Sequence, residues 1–207
     1  MRAFVRKEAR VIGIDDGPFF KRRKSRISDR AQEPRFLTFR RGRVLVVGTI
    51  YRGGSYMDGI VSTTAKVDGS DSTNNIARMI NKCKFKSQLR CIFLNGIGVG
   101  GFNIIDLPKL SKLTKIPVIA VTRQYPDIPF IIKTLINLKM SKKVKLITQL
   151  PLPTKVNDVY VQFINIDLDR AKQYLKLTTL HSYIPEPLRI AHIIAAGIVK
   201  GESRGRA

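Results

Sequence analysis

Acidic residues are scarce in this chain. Fifteen Asp and Glu face 38 Lys and Arg over 207 residues, giving a formal net charge of +23 and a pI near 10.5. Such an excess concentrates polyanions at the surface and favours phosphate backbones as partners. Cysteine is nearly absent: Cys83 and Cys91 stand eight apart, with no CxxC and no Cys/His cluster. That excludes the usual structural zinc sites and leaves two thiols as core or near-surface residues. No apolar run reaches the ~20 residues of a membrane-spanning helix. The opening MRAFVRKEAR has no apolar stretch of signal-peptide type, so a soluble, cytoplasmic protein is expected. No segment reads as a basic amphipathic helix with a bulky apolar face, which disfavours a membrane partner and leaves nucleic acid. There is no GxSxG, and neither cysteine has a nearby His, which removes the common serine and cysteine hydrolases. With no repeat and no proline-rich linker, residues 1–207 are expected to form a single domain.

The remaining pattern is that of an α/β chain. RVIGID (Arg10–Asp15) predicts a buried strand with carboxylates at its carboxyl end. Gly17–Arg43 carries ten basic residues and two acids (Asp29, Glu33); like charges at that density predict a basic, mobile insertion over 21–43. RVLVVGTIY (Arg43–Tyr51) is β-branched and predicts a strand, with Met57–Val67 as its antiparallel partner. Asp71–Lys84 has helical spacing, and LRCIFL (Leu89–Leu94) fits a central strand covered on both faces. Beyond it, helices are expected at Asn103–Thr114, Pro129–Lys139, Asp167–Leu175 and Pro185–Val199. Strands are expected at Pro117–Thr122, Val144–Leu150 and Asp158–Ile166. The order β, ββ, then alternating α and β predicts a mixed sheet with helices on both faces.

Against so few acids, those in apolar contexts stand out. Asp15 and Asp16 end the first strand in VIGIDDGPF, where adjacent carboxylates repel each other and are costly to bury uncompensated. Two readings stand on equal footing: a divalent cation held by carboxylate oxygens, or a turn in which Asp-Gly-Pro caps backbone amides. Asp68 and Asp71 in VDGSDST precede a helix, where Asp71 or Ser72 would serve as N-cap; Asp58 in the MDG turn is weaker still. NGIGVGG (Asn95–Gly101) lies between a strand and a helix, where glycines let backbone approach a phosphate. It lacks the Gly-Lys-Ser/Thr of a Walker A loop and departs from a dinucleotide fingerprint. His181 and His192 read by themselves as ordinary, partly exposed histidines.

Taken together, VIGIDDGPF, VDGSDST, the stretch from Asn95 through GFNIIDL, and IPEPLRIAHIIAAGIVKGESRGRA resemble the archaeal family of small proteins related to endonuclease V. Its members are described as deoxyuridine-cleaving endonucleases. The chain is similar to endonuclease V itself at G-x-D on the first strand, at NGIG, and at PEPxRxAH. The resemblance implies an endonuclease V-like, ribonuclease H-like fold: a mixed β-sheet flanked by helices. It also implies a carboxylate site for Mg2+ or Mn2+ and DNA as partner, with RNA as an alternative polymer. Asp15 falls at the first-strand aspartate of endonuclease V, with Asp16 beside it. Asp71 falls near the helix-borne glutamate, Asn95 at the fourth-strand aspartate, and His192 at a polar residue of the C-terminal helix. Asp15, Asp16, Asp71 and Asn95 are therefore the expected metal ligands, and His192 is expected to assist proton transfer. Lys21, Arg22, Arg23, Lys24, Arg26, Arg40, Arg41 and Arg123, with Lys142, Lys143 and Lys145, are expected to grip the backbone. Phe19, Phe20 or Tyr56 would fill the gap left by a base turned out of the stack. The chain departs from the pattern at two places. Asn95 stands where related sequences carry Asp, which removes one negative charge from the site; Asp16 or Asp58 could compensate, or the chain could be a nucleic-acid-binding protein with weakened chemistry. The tyrosine-bearing PYIP wedge of endonuclease V is missing from the Tyr56–Asp71 region, which fits a lesion other than hypoxanthine, such as deoxyuridine.

Overall fold

The computed structural model describes residues 4–19 and 42–203. The expected basic insertion over 21–43 therefore lies outside the described residues except at Gly42 and Arg43. A seven-stranded sheet forms the centre, in the order β3-β2-β1-β4-β7-β9-β8. Its strands are β1 (Arg10–Asp16), β2 (Arg43–Arg52), β3 (Tyr56–Lys66), β4 (Leu89–Asn95), β7 (Val118–Thr122), β8 (Thr154–Val156) and β9 (Val159–Ile164). β1, β4 and β7 run parallel at the centre, while β2, β3, β8 and β9 pair antiparallel around them. The buried run of β2 and the apolar run of β4 suit strands covered on both faces.

Strand alternation divides the core. Ile12 and Ile14 of β1, with Val44 and Val46 of β2, pack against α1 (Ser72–Asn81) and α2 (Leu107–Thr114). Val11, Cys91 and Phe93 face the opposite way, toward α5 (Leu168–Thr178) and α6 (Glu186–Lys200). Both cysteines are free and buried. Among the described residues no helix is long and apolar enough to cross a membrane.

Three boundaries differ from the sequence expectation. Val144–Leu150 is not a strand; Val144–Thr148 forms a short helix, α4. Its buried residues Ile147 and Leu150 stand three apart, the helical interval, and a short apolar run does not distinguish the two states. The helix expected from Asn103 begins at Leu107, because Asp106 caps it by accepting from the Lys109 amide and Pro108 sits in the first turn. Asn103–Ile104 instead forms β6, paired with β5 (Gly98–Val99). β8 is an additional strand. It turns into β9 through Asn157, whose φ of 52° is tolerated by a short polar side chain. Helix α3 (Ile128–Asn137) lies where expected.

Candidate active site

The carboxyl ends of the parallel strands β1 and β4 carry Asp15 and Asn95. The position of α6 against them is fixed by the glycine of G-x-D. A Cβ on Gly13 would strike the Pro187 carbonyl carbon and lie 2.6 Å from the Leu188 nitrogen, so only glycine lets the start of α6 rest on β1. The Thr49 hydroxyl donates to the Pro187 carbonyl at 2.6 Å within the core and sets the helix register. Asp15 lies two residues beyond Gly13 on the same strand face, and His192 lies one helical turn beyond Leu188. Two strand residues and four helical residues advance by nearly the same distance, ~6–7 Å. The Asp15 carboxylate and the His192 ring therefore meet, with Nδ1 2.9 Å from Oδ2.

Asp15 is 4% exposed. Its Oδ2 also accepts from the Asn95 side-chain NH2 at 3.0 Å, and its Oδ1 accepts from the Asp16 amide at 2.9 Å. Asn95 thus does something an aspartate could not: it donates to the neighbouring carboxylate rather than repelling it. Asp16 leaves the strand on the opposite face, where its Oδ2 accepts from the Gly100 amide at 2.9 Å. Burial pushes the Asp16 carboxyl up to about 7; the Gly100 amide opposes this and the charge on Asp15 adds to it. The hydrogen bond to Asp15 raises His192 above the ordinary imidazole range against the effect of its own burial. The positive charge of Arg123, just beyond β7, works against that rise.

The glycine-rich stretch is the β5-β6 hairpin, with Gly96, Gly100 and Gly101 at φ of 70°, 55° and 82°. The Gly100 amide is spent on Asp16, so this amide is not a free cradle for a phosphate. Asp68 packs on the same hairpin: its amide donates to the Gly100 carbonyl at 2.8 Å and its Oδ1 accepts from the Phe102 amide at 2.8 Å.

Asp71 has other partners. Its Oδ1 accepts from the Lys66 amide and Asn103, and its Oδ2 from Asn75 and Arg43. It occupies the N-cap position of α1 without a side-chain capping bond. Asp58 is bound by Arg10 at 2.6 Å and Arg52 at 3.1 Å, which leaves it no part in compensating Asn95. Among the described residues no three His, Cys, Asp or Glu side chains converge to hold a metal. A hard ion such as magnesium, which takes one or two carboxylates and keeps several waters, fits the donor set; an all-protein cage does not. At this strand end the oxygen donors are the buried carboxylate of Asp15, the side-chain oxygen of Asn95 and, on the opposite strand face, the half-buried carboxylate of Asp16.

Of the expected phosphate-gripping residues, Lys21, Arg22, Arg23, Lys24, Arg26, Arg40 and Arg41 lie outside the described residues. Arg123 is exposed, as are Lys142 and Lys145. Lys143 is not: it is 9% exposed and its ammonium is turned inward onto three backbone carbonyls. Phe19 is half-buried against the α1/α2 side of the core, Tyr56 is exposed beneath the Arg52 guanidinium, and Phe20 lies outside the described residues.

Known proteins resemble this chain over nearly its whole length. A UPF0215 protein of Methanothermobacter thermautotrophicus is 38% identical over 209 residues, covering 98% of this chain and 94% of its own. The crystal structure of an Archaeoglobus fulgidus protein of unknown function matches with a TM-score of 0.77 at 30% identity, over 92% of this chain and 98% of that one. The endonuclease V of Bacillus subtilis matches with a TM-score of 0.55 at 12% identity, over 92% of this chain and 81% of that one. The endonuclease V of Ciona intestinalis, solved with a 24mer DNA containing an inosine followed by a ribo-adenosine, matches with a TM-score of 0.51 at 14% identity, over 88% and 82%. The last two show that the fold is the α/β fold of endonuclease V. Residues 7–199 match the model of the family described as Endonuclease dU, and the chain belongs to that family.

Proposed function

We propose that this protein is a divalent-metal-dependent endonuclease that cuts DNA at or near deaminated bases, deoxyuridine first among them. The observation that carries the reading is the meeting of Asp15, Asn95 and His192, from β1, β4 and α6, at the carboxyl edge of the central strands. Family membership and the DNA-bound endonuclease V of the same fold support it.

In this reading Asp15 and Asp16 supply the carboxylate oxygens that would hold Mg2+ or Mn2+, and the Asn95 carbonyl oxygen is a neutral third donor. When bound, such an ion lowers the pKa of its water and offsets charge on the phosphate and the leaving oxygen. Asn95 and His192 together orient Asp15 through its Oδ2. With Nδ1 engaged by Asp15, the proton His192 can pass to a leaving oxygen is the one on Nε2. Arg123 and the basic stretch Lys21–Arg41 bind backbone phosphates without reading sequence, so affinity falls steeply with salt. Asp71, saturated by four donors, serves the fold rather than the metal.

Oligonucleotides carrying one deoxyuridine, one deoxyinosine or no lesion, incubated with Mg2+, Mn2+ or EDTA, test this directly. Metal-dependent cutting at deoxyuridine, lost in Asp15→Asn, is the expected result; cutting that survives EDTA or Asp15→Asn overturns it. Matched RNA strands identify the polymer. The Asn95 hydrogen bond favours one second reading: a nucleic-acid-binding protein in which a neutral donor satisfies Asp15 in place of a cation. Salt-sensitive binding without cleavage, with cleavage gained in Asn95→Asp, would replace the first reading by the second.

A further inference from the structure

Lys143 is a cation in the wrong place for gripping DNA. It closes a short turn of 3-10 helix, Ser141–Lys143, just before α4, and its side chain runs inward. The ammonium donates to the carbonyls of Asp68 at 2.7 Å, Gly69 at 2.6 Å and Phe102 at 2.7 Å. An ammonium has three N–H donors, so its hydrogen-bonding capacity is filled by backbone alone. The three acceptors belong to two separate segments, the turn after β3 and the β5-β6 hairpin. Those segments place three demands on the backbone: Asp68 at φ 53°, Gly100 at φ 55° and Gly101 at φ 82°. A side chain at Gly101 would collide with Asp68 Oδ1, so glycine there lets the hairpin lie against the turn.

We propose that Lys143 is a positioning residue for the active site: its buried ammonium clamps the Asp68 turn to the glycine hairpin, so that the Gly100 amide is presented to Asp16. The path is short and continuous. Lys143 holds the Asp68 and Phe102 carbonyls; the Phe102 amide donates to Asp68 Oδ1; the Asp68 amide donates to the Gly100 carbonyl; the Gly100 amide donates to Asp16 Oδ2. Lys143 itself touches none of Asp15, Asp16, Asn95 or His192 in this network. Burial lowers its pKa and the carboxylate of Asp68 counteracts this, consistent with a charged amine in a cradle of carbonyls. Arginine is a poor substitute, because a planar fork cannot direct three bonds at carbonyls that converge on one point. The consequence for catalysis rests on the reading of Asp15 and Asp16 as the reactive centre, but the clamp does not.

The test is amide hydrogen exchange by NMR on the full chain, comparing Lys143→Met with Leu175→Ala, a core truncation in α5 that lowers global stability elsewhere. Exchange at Gly100 and Phe102 is expected to accelerate at least ~10-fold more in Lys143→Met than in Leu175→Ala, as local opening requires. Equal acceleration in the two variants overturns the clamp. If Lys143→Met does not fold, the unaltered chain still decides: the Lys143 15Nζ signal is expected to persist through slow solvent exchange, and its loss through fast exchange overturns the clamp. On cleaved oligonucleotides, Lys143→Met is expected to lower kcat ~10–100-fold with KM unchanged, the cost of losing an outer support of a ligand. Unchanged kcat alongside accelerated exchange overturns the positioning role. An unaltered chain that cuts nothing overturns the nuclease reading alone, because the exchange comparison needs neither metal nor substrate.

Discussion

Asp71 accepts four hydrogen bonds, Asp15 three and Asp16 one from the Gly100 amide, and the two sites differ in the charge of those donors. Around Asp71 the donors include a guanidinium. Although burial opposes ionisation there, the Lys66 amide, Asn103 and Arg43 outweigh it and hold the carboxyl below the usual range. Around Asp15 and Asp16 the donors are amides and one imidazole, and Asp16 is driven up to about 7. A carboxylate paired with arginine is closed: adding a cation gains nothing there. Asp16, half-buried and bonded by a neutral amide, is open by comparison, and a divalent ion would complement it. Asp71 and Asp16 therefore differ in the charge of their donors: a guanidinium on one, a neutral backbone amide on the other.

The largest expected effect is on chemistry. Asp15→Asn should lower metal-dependent cleavage by ~10^3-fold, about 4 kcal/mol of activation free energy. Asp71→Asn should stay within a few-fold of the unaltered chain in single-turnover assays. A greater loss from Asp71→Asn than from Asp15→Asn would erase the contrast. Next is the pH dependence of stability. Asp16 and His192 both have raised folded-state pKa values, so the native state holds protons that the unfolded state gives up. For Asp16, stability falls as pH rises from the unfolded value of 3.8 through about 7; for His192, the contribution is complete below 6.5 and is lost as pH rises through its higher folded value. Metal-free protein should therefore lose stability in urea unfolding between pH 5 and pH 8. Asp16→Asn should recover up to about 4 kcal/mol at pH 8. Millimolar Mn2+ should stabilise the unaltered chain at pH 8 and leave Asp16→Asn little changed; equal stabilisation of both would remove Asp16 from the ligand set.

A smaller effect sharpens the other side. Asp71→Asn should cost about 1–3 kcal/mol of unfolding free energy at pH 7, the usual value of a hydrogen bond to a charged group. The folded pKa values of Asp58 and Asp71 are both lowered, Asp58 by Arg10 and Arg52 against its own burial. Their contribution is present above 3.8 and lost as pH falls through the folded values, so the pair should produce an acid limb of instability below about pH 4. Asp58→Asn should flatten that limb and leave the limb between pH 5 and pH 8 intact.

Much of this is legible in the chain itself. VIGIDD read as a buried strand ending in carboxylates, and Asp15 lies there because alternation and burial leave a strand-end acid few alternatives. The β-branched runs marked the central strands, and PEPLRIAH marked the last helix. Local composition does not distinguish helix from strand at Val144–Leu150; the burial of Ile147 and Leu150, three apart, does. Asp68 and Asp71 could not be ranked from VDGSDST; which of them meets the glycine hairpin depends on the turn after β3 and on Arg43, Asn75 and Asn103 claiming Asp71. Lys143 was indistinguishable from the other 37 basic residues.

By itself the sequence determined the mixed α/β sheet, the basic character and the identity of the strand-end aspartate, because periodicity, charge and burial are local or additive properties. Only the tertiary structure decided which donors each acid receives, that Asn95 gives Asp15 a proton donor rather than a second charge, and that one lysine points inward. Hydrogen-bond partners 28 to 177 residues apart are set by how helices and hairpins dock, and no local pattern encodes that docking.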